Sequence, residues 1–116
     1  MHADVRPPLR SVELHILLSV VDEPRHGYAI LQEAEERTGG RPGFEIPTLY
    51  RALRRLRDEG VIRVVEPPTD DLDQRREYWS ATERGRIALR EELERMEIAL
   101  SVGRARLGRA GTGGAP

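Results

Sequence analysis

The sequence predicts a mainly α-helical domain with one small β-hairpin: three helices, the hairpin, then a long last helix. Three observations predict it. Residues 47–60 read as an amphipathic helix bracketed by Pro47 and Gly60. Directly after Gly60 the apolar period changes from helical to two, as it does where a strand begins. Further on, Leu89, Leu93, Met96, Leu100, Gly103 and Leu107 recur at spacings of 4, 3, 4, 3 and 4, a heptad seam. Three helices followed by a hairpin make a winged helix-turn-helix. A seam on a terminal helix adds a dimerisation element.

In chain order, residues 1–7 are polar and proline-containing and are expected to fray. From Pro8, the positions Leu9, Val12, Ile16, Leu17, Val20 and Val21 follow a 3.6 period, with Leu14 and Leu18 widening the stripe. So wide a stripe suits a helix buried on more than one side, and Asp22-Glu23-Pro24 stops it. A second helix runs from about His26 to Thr38, with Ile30, Leu31 and Ala34 inward, and ends at Gly39-Gly40. Pro42 and Gly43 mark a loop, and Phe44 plugs the underside of the core.

The third helix is the one the chain is organised around. Pro47 suits its first turn, where a missing N–H costs nothing, and Gly60 suits the left-handed position past its end. Leu49, Leu53 and Leu56 form its apolar stripe, while Arg51, Arg54, Arg55 and Asp58 fall opposite. Residues 62–66 then read as a strand, residues 67–74 as a loop and residues 75–81 as the returning strand. Thr82 is a good N-cap for the last helix, which is expected to run to about Leu107. The expected organisation is therefore a winged helix-turn-helix over residues 8–81, a dimerisation helix over 82–107 and a disordered tail over 108–116.

Composition narrows the function. The chain has 116 residues, enough for one domain with a modest core that dimerisation would supplement. The net charge of −1 supplies no global attraction to nucleic acid, so local charge decides. Residues 47–60 carry four Arg against Asp58 and Glu59, whereas residues 22–46 are net acidic. With no cysteine there is no disulfide framework, thiolate nucleophile or Cys-based metal site. His2, His15 and His26 lack metal-ligand spacing, no phosphate loop or Ser/His/Asp grouping is present, and no metal or cofactor is expected. The chain reads as a non-enzyme. Without a membrane-length apolar run or a signal-peptide pattern, a cytoplasmic location is expected.

The residues that carry chemistry are basic and hydroxyl-bearing. Thr48, Tyr50, Arg51, Arg54 and Arg55 are the candidate reading head, because the start of the second helix of a helix-turn-helix enters the DNA major groove. Arg75 and Arg76 open the second wing strand and either clamp flanking phosphates or join a local salt cluster with Asp70, Asp71 and Asp73. Trp79 is expected on the core, and His26 either caps a helix or touches a phosphate. Leu89, Leu93, Met96, Leu100 and Leu107 are the candidate dimer interface.

Three blocks carry a resemblance: residues 26–30 (His-Gly-Tyr-Ala-Ile), residues 48–56 with Gly60-Val61-Ile62, and residues 76–85. In this order and spacing they resemble the PadR-type transcriptional regulators, dimeric winged-helix proteins, over about residues 9–107. The resemblance implies that Tyr28, Thr48, Tyr50, Arg51, Arg75 and Arg76 face double-stranded DNA. It also implies that the last helix packs on the first helix of the other subunit. The single C-terminal helix is similar to the short branch of the family, some members of which take a planar effector between subunits on a tryptophan of that helix. This last helix has no aromatic residue. The expected function is a homodimeric, sequence-specific DNA-binding regulator acting as a repressor on a two-fold-symmetric operator, with a small-molecule effector of unknown identity as a further partner. The rival is a winged-helix interaction module that does not read DNA.

Overall fold

A computed structural model describes residues 8–40, 43–68 and 76–113. Its elements are α1 (Ser11–Val20), β1 (Arg25–His26), α2 (Gly27–Arg37), α3 (Ile46–Asp58), β2 (Ile62–Val65), β3 (Tyr78–Ala81) and α4 (Glu83–Gly113). The fold is the expected one, mainly helical around a small antiparallel sheet, with one strand more than the sequence showed. The sheet order is β1-β3-β2. Ile62 pairs with Ala81 and Val65 with Tyr78 in the wing hairpin, and Arg25 pairs with Trp79 on the other edge. Both wing strands are shorter than their alternation suggested. Pro67 and Pro68 follow β2, and a proline has no N–H to give to a ladder.

The apolar stripes meet in one core. Ile16, Leu17 and Val20 of α1, Ile30 of α2, and Leu49, Leu53 and Leu56 of α3 are closed off from solvent, and Trp79 packs with them as expected. Phe44 is half-buried at the edge of this cluster, its ring 6.1 Å from that of His15.

The ends of the helices show what sets their angles. Helix α1 begins at Ser11 rather than near Pro8, after an extended Arg10 as N-cap. The N–H groups of Leu9 and Arg10 donate to Oε1 of Glu92 and Oε1 of Glu13, each at 2.9 Å. At the end of α3, Gly60 adopts φ +79°, and the N–H groups of Gly60 and Val61 donate back to the carbonyls of Arg57 and Leu56. This two-bond closure is open to glycine without strain and turns the chain straight into β2. Thr82 then ties three elements at one point. Its N–H donates to the Val61 carbonyl at 3.1 Å, its hydroxyl donates to the Gly60 carbonyl at 2.6 Å, and the same oxygen accepts the N–H of Gly85 as the N-cap of α4.

Helix α4 runs on to Gly113, past the expected end at Leu107. The seam along it divides. Leu89 is 5% exposed and packs in the core of its own chain. Leu93, Met96, Leu100 and Leu107 are exposed, as are Ile98 and Val102 on the opposite side of the helix. No helix among the described residues is long and apolar enough to cross a membrane.

Candidate nucleic-acid interface

The turn from β1 into α2 and the start of α3 are held together by a glycine. Gly27 opens α2, and the ring of Tyr50 lies over it. A Cβ built on Gly27 would overlap the Tyr50 hydroxyl and come within 2.7 Å of Cζ. That contact leaves Tyr50 half-buried, with its hydroxyl beside the first turn of α2. His26 is the N-cap of α2, its Nδ1 accepting the Ala29 N–H at 3.1 Å. Capping, one of the two roles open to it from sequence, is therefore filled. Its ring meets Tyr78 edge-on at 5.3 Å between centroids, and Nη1 of Arg76 lies 2.9 Å from Nε2.

These contacts open a cleft of about 510 Å³ lined by His26, Tyr28, Tyr50, Arg76 and Glu77. It brings together three sequence-nominated residues, Tyr28, Tyr50 and Arg76, from α2, α3 and the wing. Tyr28 is more than half exposed at the mouth. A guanidinium and two phenol hydroxyls give the cleft hydrogen-bond donors for an anion, and the Glu77 carboxylate adds a negative charge with two acceptor oxygens to its lining.

Along α3 the four arginines part ways. Nη2 of Arg51 donates to the Thr48 hydroxyl at 3.2 Å, so these two side chains stand as a pair on the first turns. Arg54 is exposed one turn on. Neither Arg51 nor Arg54 has a carboxylate partner among the described residues. Arg57 pairs with Asp58 at 3.3 Å, an exposed contact of little energetic weight. Arg55, which the helical period sets with the outward-facing residues, turns back to α1 instead. Its Nε and Nη2 both reach Oε2 of Glu13 at 3.1 Å.

Arg75 and the loop residues Asp70, Asp71 and Asp73 lie outside the described residues, as do residues 1–7 and Pro42. Sequence reasoning passed over two residues that shape the site. Gly27 was seen only as part of a motif, and its role needs Tyr50, which is 23 positions away. Glu13 did leave a signal, since it falls inside the apolar stripe of α1, where a carboxylate must find a partner. Among the described residues no three His, Asp or Glu side chains converge to hold a metal ion.

The comparisons with known proteins agree with this geometry. A family model described as the transcriptional regulator PadR-like family matches residues 16–91, more than half of the chain. Among solved structures, a PadR family transcription regulator from hypervirulent Clostridium difficile aligns with a TM-score of 0.71 at 19% identity, over 84% of this chain and 99% of that one. A PadR-like transcriptional regulator from Bacillus cereus aligns at 0.72 and 20% identity, over 83% and 90%. A Streptococcus transcriptional regulator aligns at 0.65 and 22% identity, over 82% and 91%. No curated protein matches the chain by sequence. The family match over more than half of the chain, together with the winged fold, leads to one conclusion: the chain belongs to the PadR-like transcriptional regulators, a family whose work is DNA-binding control of transcription.

Proposed function

We propose that this chain is a repressor that holds a two-fold-symmetric operator as a homodimer. The observation that carries the reading is the division of charge on α3. Arg55 and Arg57 are taken by Glu13 and Asp58, while Arg51 and Arg54 stand exposed beside Thr48 without a carboxylate partner among the described residues. On this reading the start of α3 enters the major groove, and Thr48, Arg51 and Arg54 meet base edges and phosphates. Tyr28, Tyr50 and Arg76 hold the flanking backbone from their cleft, and Arg75, outside the described residues, is a further candidate for a phosphate contact.

Dimerisation completes the reading. Residues 8–81 serve as the DNA-binding unit and the helix from residue 82 as the dimerisation element. The exposed Leu93, Met96, Leu100 and Leu107 support this, as does the open apolar hollow of about 620 Å³ along Leu93, Met96, Ala99 and Leu100. Two recognition helices on one duplex face must stand about 34–36 Å apart to enter successive major grooves. An effector that changes the α4 packing angle changes that separation, and so controls binding.

The test is a titration of the protein against duplex DNA from upstream of its own gene, repeated over salt. Log K is expected to fall linearly with log[salt], with a slope of about −0.9 per phosphate neutralised. Replacing Arg75 and Arg76 together by Ala flattens the slope by up to ~2 units per subunit if both wing residues reach phosphate. The net charge of −1 favours one second reading, an interaction module that does not read DNA. Absence of any salt-dependent binding would decide for it.

A further inference from the structure

Among the described residues Glu13 is the one buried carboxylate, 4% exposed, and the DNA-binding reading takes its pairing with Arg55 as given. At 100° per residue it lies between Ile16, Val20 and Leu17 in the middle of the α1 stripe, where glutamate is rare unless paired. Both of its oxygens are engaged. Oε1 accepts the Arg10 N–H at 2.9 Å, and Oε2 receives Nε and Nη2 of Arg55 at 3.1 Å each. The side chain of Arg55 is 36% exposed, so its outer edge still faces solvent on the flank of α3, one helical turn from Arg51.

We propose that Glu13 is a positioning residue acting through Arg55: an internal counter-anion that takes one cation away from the recognition helix. The inference rests on the DNA-binding reading and names the charge count of that same face. A carboxylate closed off from water is costly without its counter-charge. Handing Arg55 to a phosphate would strand Glu13 in the core, in exchange for a contact that solvent and salt screen. The pair therefore survives DNA binding, and α3 offers the duplex Arg51 and Arg54 rather than three unpaired guanidinium groups. Affinity for DNA of any sequence rises with each phosphate neutralised. Withholding Arg55 thus lowers the sequence-independent affinity of the protein.

The experiment compares wild type, Glu13→Gln, and Glu13→Gln with Arg55→Met, each titrated with a random-sequence duplex between about 50 and 200 mM salt. Glutamine keeps an acceptor for the Arg10 N–H but removes the charge that holds Arg55. The single variant is expected to steepen the salt slope by about 0.9 per subunit, about 1.8 for the dimer, which over that range is about a 12-fold larger change in affinity. The double variant is expected to return to the wild-type slope, because wild-type Arg55 releases no counterion. Equal slopes for wild type and Glu13→Gln overturn the proposal. So does a double variant shallower than wild type by about 0.9 per subunit, since Arg55 would then already neutralise a phosphate. Should Glu13→Gln fail to fold, the double variant decides alone, a wild-type slope supporting the proposal and a shallower one overturning it. Wild-type protein that binds no duplex at all overturns the DNA-binding reading itself, a failure distinct from an unchanged slope.

Discussion

The hydroxyl end of Tyr50 occupies the space that a β-carbon on Gly27 would take, so that helix α3 meets the start of α2 at a point where only glycine fits without a shift. Gly27→Ala must displace the tip of the half-buried Tyr50 side chain, which can swing aside, so the cost falls at or below the lower end of the about 1–3 kcal/mol of core overpacking. The variant is expected to lose stability in urea unfolding and to weaken operator binding, because Tyr50 leaves its cleft. In a Tyr50→Ala background the same Gly27→Ala change is expected to be nearly neutral for stability. A full cost in that background would show that the overlap with Tyr50 is not its source.

Arg51 and Arg55 sit one turn apart on α3 and are expected to answer differently to truncation. Arg51→Ala should weaken operator binding by ~1–3 kcal/mol if it removes a bidentate base contact, with thermal stability unchanged. Arg55→Ala leaves Glu13 buried without its counter-charge. A fully buried pair broken in this way costs about 3–5 kcal/mol, and partial exposure of Arg55 brings the expectation to about 2 kcal/mol of stability. Denaturation curves and operator titrations on the same preparations separate the two. Matching losses of stability would refute the distinction.

Leu89 and Leu93 are one turn apart on α4, yet one is 5% and the other 40% exposed. Leu89→Asp is expected to unfold the domain, since burying a leucine side chain contributes ~1.5–3 kcal/mol and a buried unpaired carboxylate adds further cost. Leu93→Asp is expected to leave a folded monomer with a native circular dichroism spectrum and greatly reduced operator affinity, although no DNA-facing residue has changed. Sedimentation beside a binding titration checks it. A stable Leu93→Asp dimer, or a monomer that still binds the operator tightly, would overturn the dimer reading.

His15 makes stability depend on pH. Burial pushes its pKa below the ordinary 6.5, and the Arg37 guanidinium, whose Nε donates to His15 Nδ1 at 3.2 Å, lowers it further. With the folded pKa below the unfolded value, the unfolded chain takes up its proton first as pH falls. The contribution is therefore complete above about pH 6.5 and is lost as pH drops from there toward the folded pKa. His15→Gln, compared with wild type by urea unfolding across that window, is expected to show a smaller loss of stability. An identical pH dependence in the two proteins would exclude His15 as the source.

What the sequence determined by itself was whatever local periodicity and chain-end chemistry can specify. Leu49, Leu53 and Leu56 at helical spacing, Pro47 in the first turn, Gly60 past the last one and Thr82 as N-cap each act within a few residues of themselves, and each is found in its expected role. The order of helices and hairpin, and with it the winged fold, followed from those local signals. Two-residue β1 carries no period to detect and exists only because Trp79 and Tyr78 are there to pair with it. The direction of Arg55 was set by Glu13, 42 positions away, and the burial of Leu89 by the core that α1, α3 and β3 assemble beneath it. Periodicity shows on which side of a helix a residue lies. Which neighbour a long, charged side chain reaches, and how far along a helix the core extends, are decided by distances between elements that exist only once the chain has folded.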